Sequence, residues 1–486
     1  MLLEKYLEKD LVRKFKIANL LWENDILTSI DLACALNVTT TTIKSDIKNI
    51  NMFYCPSNEP LVISETTGYS ILNKKSCNKK NFFRQLYNSS LFIKACCFYL
   101  KNDFKETEKF ALQEFISVSK AYELKNKVLV YLKELDIYID DRKSECRIRF
   151  LIAYFQMKLG IQVVEISKHK QFIFDRLIEE VEKLEGCFFS NYSKEYAYVL
   201  LQLNFKRRKN NPVYFNNKEV NLLKETIIYK RLYNPVFKLL KNELHININE
   251  HEILYCMTVI NIMNANYYEN KESLEIHEYY ANLISKLVNY KELLALFDEE
   301  FNSVLSKNHL FQAVLVLFLR KSLFNLQILI PEEHIELGNY ATIPSSLVEQ
   351  TEKVLNKWQE KNKLNLQFSI EHVRYLASKL YFIVKRKKRP RVIYLLCNFY
   401  PDYLLAKEIL QIEFGTFVEV MQFPSSLSNV YFHRDDLILY DIYSPVLKKT
   451  GCKLLKISYI FDLKELQKIG AQLFEYDLKD IDRKEF

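Results

Sequence analysis

The sequence predicts a mainly α-helical, multidomain protein. Two helix-turn-helix domains, the first winged, open the chain; two all-helical bundles follow, and a small α/β domain closes it. Three observations lead there. The chain has 486 residues, room for about three to five domains. Glycine (7) and proline (10) are scarce, so few tight left-handed turns are available and helices joined by polar loops are favoured. Apolar residues recur at helical spacing through most of the chain, and short apolar runs alternating with helical segments take over only after residue 390.

Composition excludes a disordered or fibrous chain: 49% of residues are hydrophobic and 27% charged. The net charge of +9 is mild but unevenly spread. Between Thr66 and Asn102 there is no Asp or Glu, while Lys74, Lys75, Lys79, Lys80, Arg84, Lys94 and Lys101 are present. A polyanion-facing surface and a solvated basic linker both fit that stretch. The ten cysteines are scattered with no CxxC pair, so neither metal-knuckle spacing nor any cofactor is predicted. Met1–Asp10 alternates charges rather than opening a signal peptide. The most apolar run, Leu310–Leu319, is shorter than the about 20 residues of a membrane span. These features predict reduced thiols and a cytoplasmic protein without a membrane partner.

The first helix is expected over Arg13–Trp22, with one buried face. A short helix from Ser29, read as its N-cap, runs to Leu36, and Asn37-Val38 makes a turn. The next helix spans Thr39 or Thr40 to Ile50 with Ile43, Ile47 and Ile50 inward. Four consecutive threonines, Thr39–Thr42, are poor material for a core helix. At the first turn of a helix that enters a polar groove they have a use, because short hydroxyls bond phosphates or base edges and their methyls touch thymine. Thr39, Thr40, Thr41, Lys44, Ser45 and Lys48 are therefore candidate contacts to duplex DNA in a helix-turn-helix arrangement. A three-helix scaffold with a threonine-rich cap is the alternative. Leu61–Ile63 and Tyr69–Leu72 flank Ser64–Gly68 as a hairpin, the wing.

The pattern recurs. Thr107–Ile116 reads as a helix, Ser117-Val118-Ser119 matches Asn37-Val38-Thr39, and Lys120–Leu135 is a second recognition helix. Its inward residues are Ala121, Leu124, Val128, Tyr131, Leu132 and Leu135; its candidate DNA contacts are Ser119, Lys120, Tyr122, Lys125 and Lys127. Ile137–Ile139 and Cys146–Phe150 bracket a polar turn and suggest a second wing.

From about Leu151 to Val384 the chain is helix-patterned, with no glycine-rich phosphate loop. His309 opens a helix with Arg320 eleven residues on, and His372 lies 63 residues after His309. Isolated histidines on helices also occur as plain surface or core residues. Lys385–Pro390 is a basic linker; strands follow at Arg391–Cys397, Phe417–Met421, Leu437–Tyr440 and Lys453–Ile457, with a helix over Tyr403–Leu410.

This order, with IDLACALNVTTTTIKSDIKNIN and KFALQEFISVSKAYELKNKVLVYLKELDI as its clearest pieces, resembles the Mga/AtxA family of virulence transcription regulators from Gram-positive bacteria. The resemblance implies a division into 1–73 (winged helix-turn-helix), 74–165 (second, Mga-type helix-turn-helix), 166–287 and 288–389 (two phosphotransferase-system regulation domains, PRDs) and 390–486 (a domain like the phosphotransferase subunit EIIB). It also implies PRD histidines phosphorylated by a phosphocarrier protein or EII components of the sugar phosphotransferase system, and self-association as a homodimer or higher oligomer. His309 and His372 fit the second PRD. In the first, Tyr196 and Val259 stand where the histidines are expected, while His245, His251 and His277 are off pattern. Cys397 follows the first strand where an EIIB domain carries its phosphocysteine. The loop after it, Asn398-Phe399-Tyr400-Pro401-Asp402, has bulky rings, a proline without an N–H and a repelling carboxylate, so a degenerate, non-enzymatic domain is expected.

The function expected is a DNA-binding regulator of low sequence specificity, with a preference for bent or AT-rich sites because the first recognition helix carries no arginine. A phosphotransferase using Cys397 is one alternative. An RNA-binding antiterminator is another, although such proteins begin with a β-rich domain rather than helix-turn-helix patterning.

Overall fold

The computed structural model describes residues 3–473 except 25, 54–60, 66, 73–78, 140, 166–167, 245–247, 264, 268–288, 332–343, 386–390, 398, 416–417, 425–431, 434–435, 442–443, 458–463 and 471. Lys74, Lys75, His245, His277, Asn398 and the linker residues 386–390 lie outside that set. The chain forms two compact units, residues 1–379 and 380–486.

The first unit is helical. It begins with α1 (Lys9–Glu23), α2 (Ser29–Leu36) and α3 (Thr40–Phe53), followed by a hairpin of β1 (Val62–Glu65) and β2 (Gly68–Ile71). Next come α4 (Lys79–Ser89), α5 (Leu91–Lys101), α6 (Thr107–Gln113) and α7 (Val118–Glu134). The larger part contains α8 (Glu145–Leu159), α9 (Lys168–Glu185), α10 (Asn191–Arg207), α11 (Asn217–Glu225), α12 (Ile227–Leu244) and α13 (Glu250–Ile262). It ends with α14 (Tyr290–Glu300), α15 (His309–Lys321), α16 (Ser345–Asn362) and the part of α17 (Ile370–Lys385) up to residue 379. A small antiparallel pair, β3 (Cys187–Phe189) with β4 (Ala265–Tyr267), interrupts this region, which the periodicity reads as purely helical.

The second unit is a four-stranded parallel sheet in the order β6-β5-β7-β8, built from β5 (Arg391–Leu396), β6 (Val418–Gln422), β7 (Leu437–Tyr440) and β8 (Lys453–Lys456). Alternate residues face opposite ways. Ile393, Leu395, Val418, Val420, Leu437 and Leu439 pack with Ala406 and Leu410 of α18 (Tyr400–Phe414). Val392, Tyr394 and Ile438 form a second cluster with Leu447. The protein is thus mainly helical with a small parallel sheet near its C-terminus.

Local chemistry explains the element ends. Thr28, rather than Ser29, caps α2: its hydroxyl accepts from Asp31 N while the Asp31 carboxylate accepts from Thr28 N, a reciprocal capping box. Asn37 takes the left-handed conformation (φ 52°) that ends α2. The second wing does not form. Cys146–Phe150 lies in α8, where every residue from Glu145 to Ala153 is buried. A helix buried on all sides has no amphipathic period, and its two arginines, Arg147 and Arg149, give the segment the false alternation of a strand.

Candidate nucleic-acid interface

α1, α2 and α3 pack around Ile17, Leu21, Leu32, Ile43, Ile47 and Ile50, all buried. Arg13 of α1 makes a two-point ion pair with the buried Asp46 of α3, through Nε and through Nη2 at 3.1 Å. The Asp46 hydrogen bond raises the Arg13 pKa, outweighing the cost of its burial. The hairpin is held from both sides. The Asn51 side chain donates to Val62 O and accepts from Val62 N, both at 2.8 Å, taking the place of a neighbouring strand. Leu27, ahead of α2, exchanges hydrogen bonds with Tyr69 of β2 at 3.1 and 2.8 Å. At Gly68 (φ 151°) a Cβ would meet Leu27 O at 2.6 Å, so this approach needs glycine.

With that frame set, the outer face of α3 follows. Thr41, Lys44, Ser45 and Lys48 are exposed, and Thr40 is half-buried. Among the described residues neither Lys44 nor Lys48 has an acidic partner. Thr39 has a different job. Its hydroxyl accepts from Thr42 N at 3.2 Å and meets the Thr42 hydroxyl at 2.9 Å, capping α3.

The α6–α7 unit repeats the geometry in a shifted register. Phe115 is the left-handed residue of its turn (φ 54°) and is 95% exposed. Ser117 caps α7 by accepting from Lys120 N at 3.2 Å. The turn equivalent to Asn37-Val38-Thr39 is therefore Phe115-Ile116-Ser117, two residues earlier than the sequence alignment places it. Counted from the caps, Lys44, Ser45 and Lys48 correspond to Tyr122, Glu123 and Asn126. The expected inward set of α7, from Ala121 to Leu135, is buried throughout.

The lysines of α7 are largely spoken for. Lys120 pairs with Glu123 at 2.8 Å. Lys125 Nζ lies 5.8 Å from the Tyr99 ring centroid and Lys127 Nζ 5.4 Å from that of Phe92. Ser119 and Tyr122 are exposed, and so are Leu112, Phe115, Val118, Leu129 and Val130. The outer surface of α7 is thus partly apolar, with Lys120, Lys125 and Lys127 engaged locally, whereas Lys44 and Lys48 of α3 have no acidic partner among the described residues.

The two histidines differ sharply. His309 is exposed at the first position of α15, whose cap is Asn308 accepting from Phe311 N at 2.9 Å. His372 is only 2% exposed in the first turn of α17, beside Glu371, which pairs with Lys158 of α8. Arg320, at the far end of α15, is buried and donates to Met263 O at 2.8 Å. In the first half of this region, Tyr196 is buried and donates to Leu329 O at 3.1 Å, and Val259 is buried. His251 accepts from Phe215 N through Nδ1 at 3.2 Å.

In the second unit Cys397 is half-buried against the α18-side core. Phe399 and Tyr400 are exposed at the start of α18, Pro401 sits in its first turn, and no side chain caps it. Among the described residues no His/Cys/Asp/Glu cluster is arranged to hold a metal, and no helix is long and apolar enough to cross a membrane.

No protein-family model matches the chain. A curated relative is the capsule synthesis positive regulator AcpA of Bacillus anthracis, 22% identical over 327 residues, which cover 65% of this chain and 67% of that protein. The chain is therefore distantly similar to a regulator.

Proposed function

We propose that this protein is a DNA-binding transcription regulator of the Mga/AtxA type, organised as the five segments drawn from its sequence. The observation that carries the reading is the outer face of α3: Thr41, Lys44, Ser45 and Lys48 exposed together, the two lysines unpaired among the described residues, on a helix fixed to a hairpin wing. Helices so presented enter the major groove while the flanking elements contact phosphates. The distant similarity to a positive regulator of capsule synthesis supports it.

The two recognition helices have unequal parts in this reading. α3 supplies two lysines that have no acidic partner among the described residues; α7 presents the exposed Ser119 and Tyr122 beside lysines already engaged within the chain. Regulation enters through His309, whose ring is open to a phosphocarrier, more readily than through His372. A phosphate there adds a dianion at a helix N-terminus, a favourable place for it. Self-association runs through the second unit, where Leu404, Leu405 and Ile412 make an exposed apolar face on α18. The ring-blocked start of α18 supports a non-enzymatic role for that unit.

Duplex binding by anisotropy across a salt series tests this. Thr41→Ala/Lys44→Ala should weaken binding and reduce the salt slope by about one, while Lys120→Ala/Lys125→Ala should weaken binding less, because both lysines are already engaged within the chain. Stronger binding to RNA than to duplex DNA would favour the antiterminator reading instead.

A further inference from the structure

Arg147 of α8 is 8% exposed, yet among the described residues no carboxylate lies within ion-pair distance of it. Its donors go to carbonyl oxygens on two separate parts of the chain. Nε (3.0 Å) and Nη2 donate to Leu135 O, the C-cap carbonyl of α7. Nη1 donates to Phe324 O at 3.2 Å and Asn325 O at 2.5 Å. Those two residues form the turn just after α15 and are both left-handed, φ 57° and 58°.

That turn is also tied forward to α17. Asn325 Oδ1 accepts from Gln367 N, and Asn325 Nδ2 donates to Asn365 O, each at 2.9 Å. Gln327 accepts from Ser369 N at 3.2 Å and donates back to Phe318 O of α15 at 3.0 Å. Gln367 Nε2 in turn donates to Glu134 O at 3.3 Å, on the last residue of α7. The end of α7 and the turn after the His309 helix therefore meet at one guanidinium, and the lead-in to the His372 helix is bonded to both of them.

We propose that Arg147 is a positioning residue that couples the 323–327 turn to α7, so that a rearrangement of the turn is read as a change in how firmly the last turn of α7 is held. The physical reason is the guanidinium's demand for acceptors. Of the five N–H donors in its rigid plane, four are matched by carbonyls on the two sides of a largely buried site. Withdrawing the turn's carbonyls leaves buried donors unmatched, which is costly, so the turn and the α7 C-terminus favour a joint arrangement. The use of this coupling in regulation rests on the reading of α7 as a DNA-facing helix; the coupling itself does not.

Hydrogen exchange on the full chain tests it, following peptides over the last turn of α7 with α3 as the internal control. Asn325→Ala removes both side-chain bonds of the turn and disfavours its left-handed backbone. It should speed exchange at the end of α7 about five- to tenfold and leave α3 unchanged. Arg147→Met should do the same, and the double variant should fall short of the product of the two single effects, the Gln367–Glu134 bond linking the turn to α7 separately. Arg147→Lys, which keeps the charge but cannot span both carbonyl sets, takes the place of Arg147→Met should that variant not fold. An α7 indifferent to Asn325→Ala, or effects that multiply in the double variant, would overturn the proposal. Duplex binding is measured beside it: intact exchange coupling in a wild-type chain that binds no DNA would sustain the coupling and remove the DNA reading.

Discussion

The Arg149 guanidinium and the Glu252 carboxylate meet in a two-point ion pair, Nη1–Oε2 at 2.7 Å and Nη2–Oε1 at 2.9 Å, with both side chains buried. Arg149 also donates to Glu145 at 2.9 Å, and Glu145 accepts from Arg207 of α10 at 2.8 and 3.0 Å. Burial alone would lower the Arg149 pKa; the Glu252 hydrogen bond and the fields of Tyr255, Glu252 and Glu145 outweigh it and hold it above its ordinary value. Removing one partner strands a buried charge. Glu252→Ala should therefore cost about 3–5 kcal/mol, read from urea unfolding. Arg149→Met/Glu252→Leu should cost less than the two single alanine variants combined.

Stability and binding should separate on α3. Asp46→Ala breaks the pair with the partly exposed Arg13 and should destabilise by about 1–3 kcal/mol. Lys44→Ala touches nothing in the core and should stay within about 0.5 kcal/mol while weakening duplex binding. Equal losses of stability in both variants would show that Lys44 serves the fold.

The buried thiols set an alkaline limit. Burial pushes Cys146 and Cys256 up from 9.0 to about 12. In the unfolded chain these thiols ionise near the lower value, so between the two values the folded state holds more protons. Their contribution is fully present below pH 9 and is lost as pH rises towards 12. Unfolding free energies measured from pH 8 to 11 should fall over the upper part of that range, less steeply in Cys256→Ala.

Phosphoryl transfer should discriminate between the histidines. Incubation with a phosphorylated phosphocarrier should give an acid-labile phosphate that His309→Ala removes and His372→Ala largely retains. Labelling that follows His372 would mean that the first turn of α17 opens readily.

Charge placed on α18 tests the proposed self-association. Leu404→Glu/Ile412→Glu adds two carboxylates to an exposed face and should leave the monomer folded. Sedimentation should shift towards the monomer; an unchanged oligomer would move the interface elsewhere.

Much of this was legible in the residues. Ile43, Ile47 and Ile50 share a face because 3.6 residues per turn leave no other reading, and asparagine at 37 suits a left-handed turn. The strands of the second unit stood out because each is short, apolar and bounded by polar segments. The α6–α7 turn lies two residues before the position its sequence suggests because phenylalanine is a poor indicator of a left-handed residue, and Phe115 takes that conformation. Spacing along the chain does not show that Lys125 and Lys127, still charged, lie over aromatic rings. CRIRF could not be assigned from its pattern, since the partners of Arg147 and Arg149 are contributed by residues 135, 252 and 324–325.

The burial of α8 on nearly every side has a consequence for how the chain can be cut. Its side chains complete surfaces contributed by α4, α5, α10 and the start of α17, so none of those surfaces is finished without it. A fragment ending near residue 165 would keep α8 but leave the faces it turns towards α10 and α13 in water. One ending near residue 136 would deprive α5 and α7 of their neighbour. Melting of the first 379 residues should accordingly be a single cooperative transition. Limited proteolysis should spare α8 and the segment that leads into it.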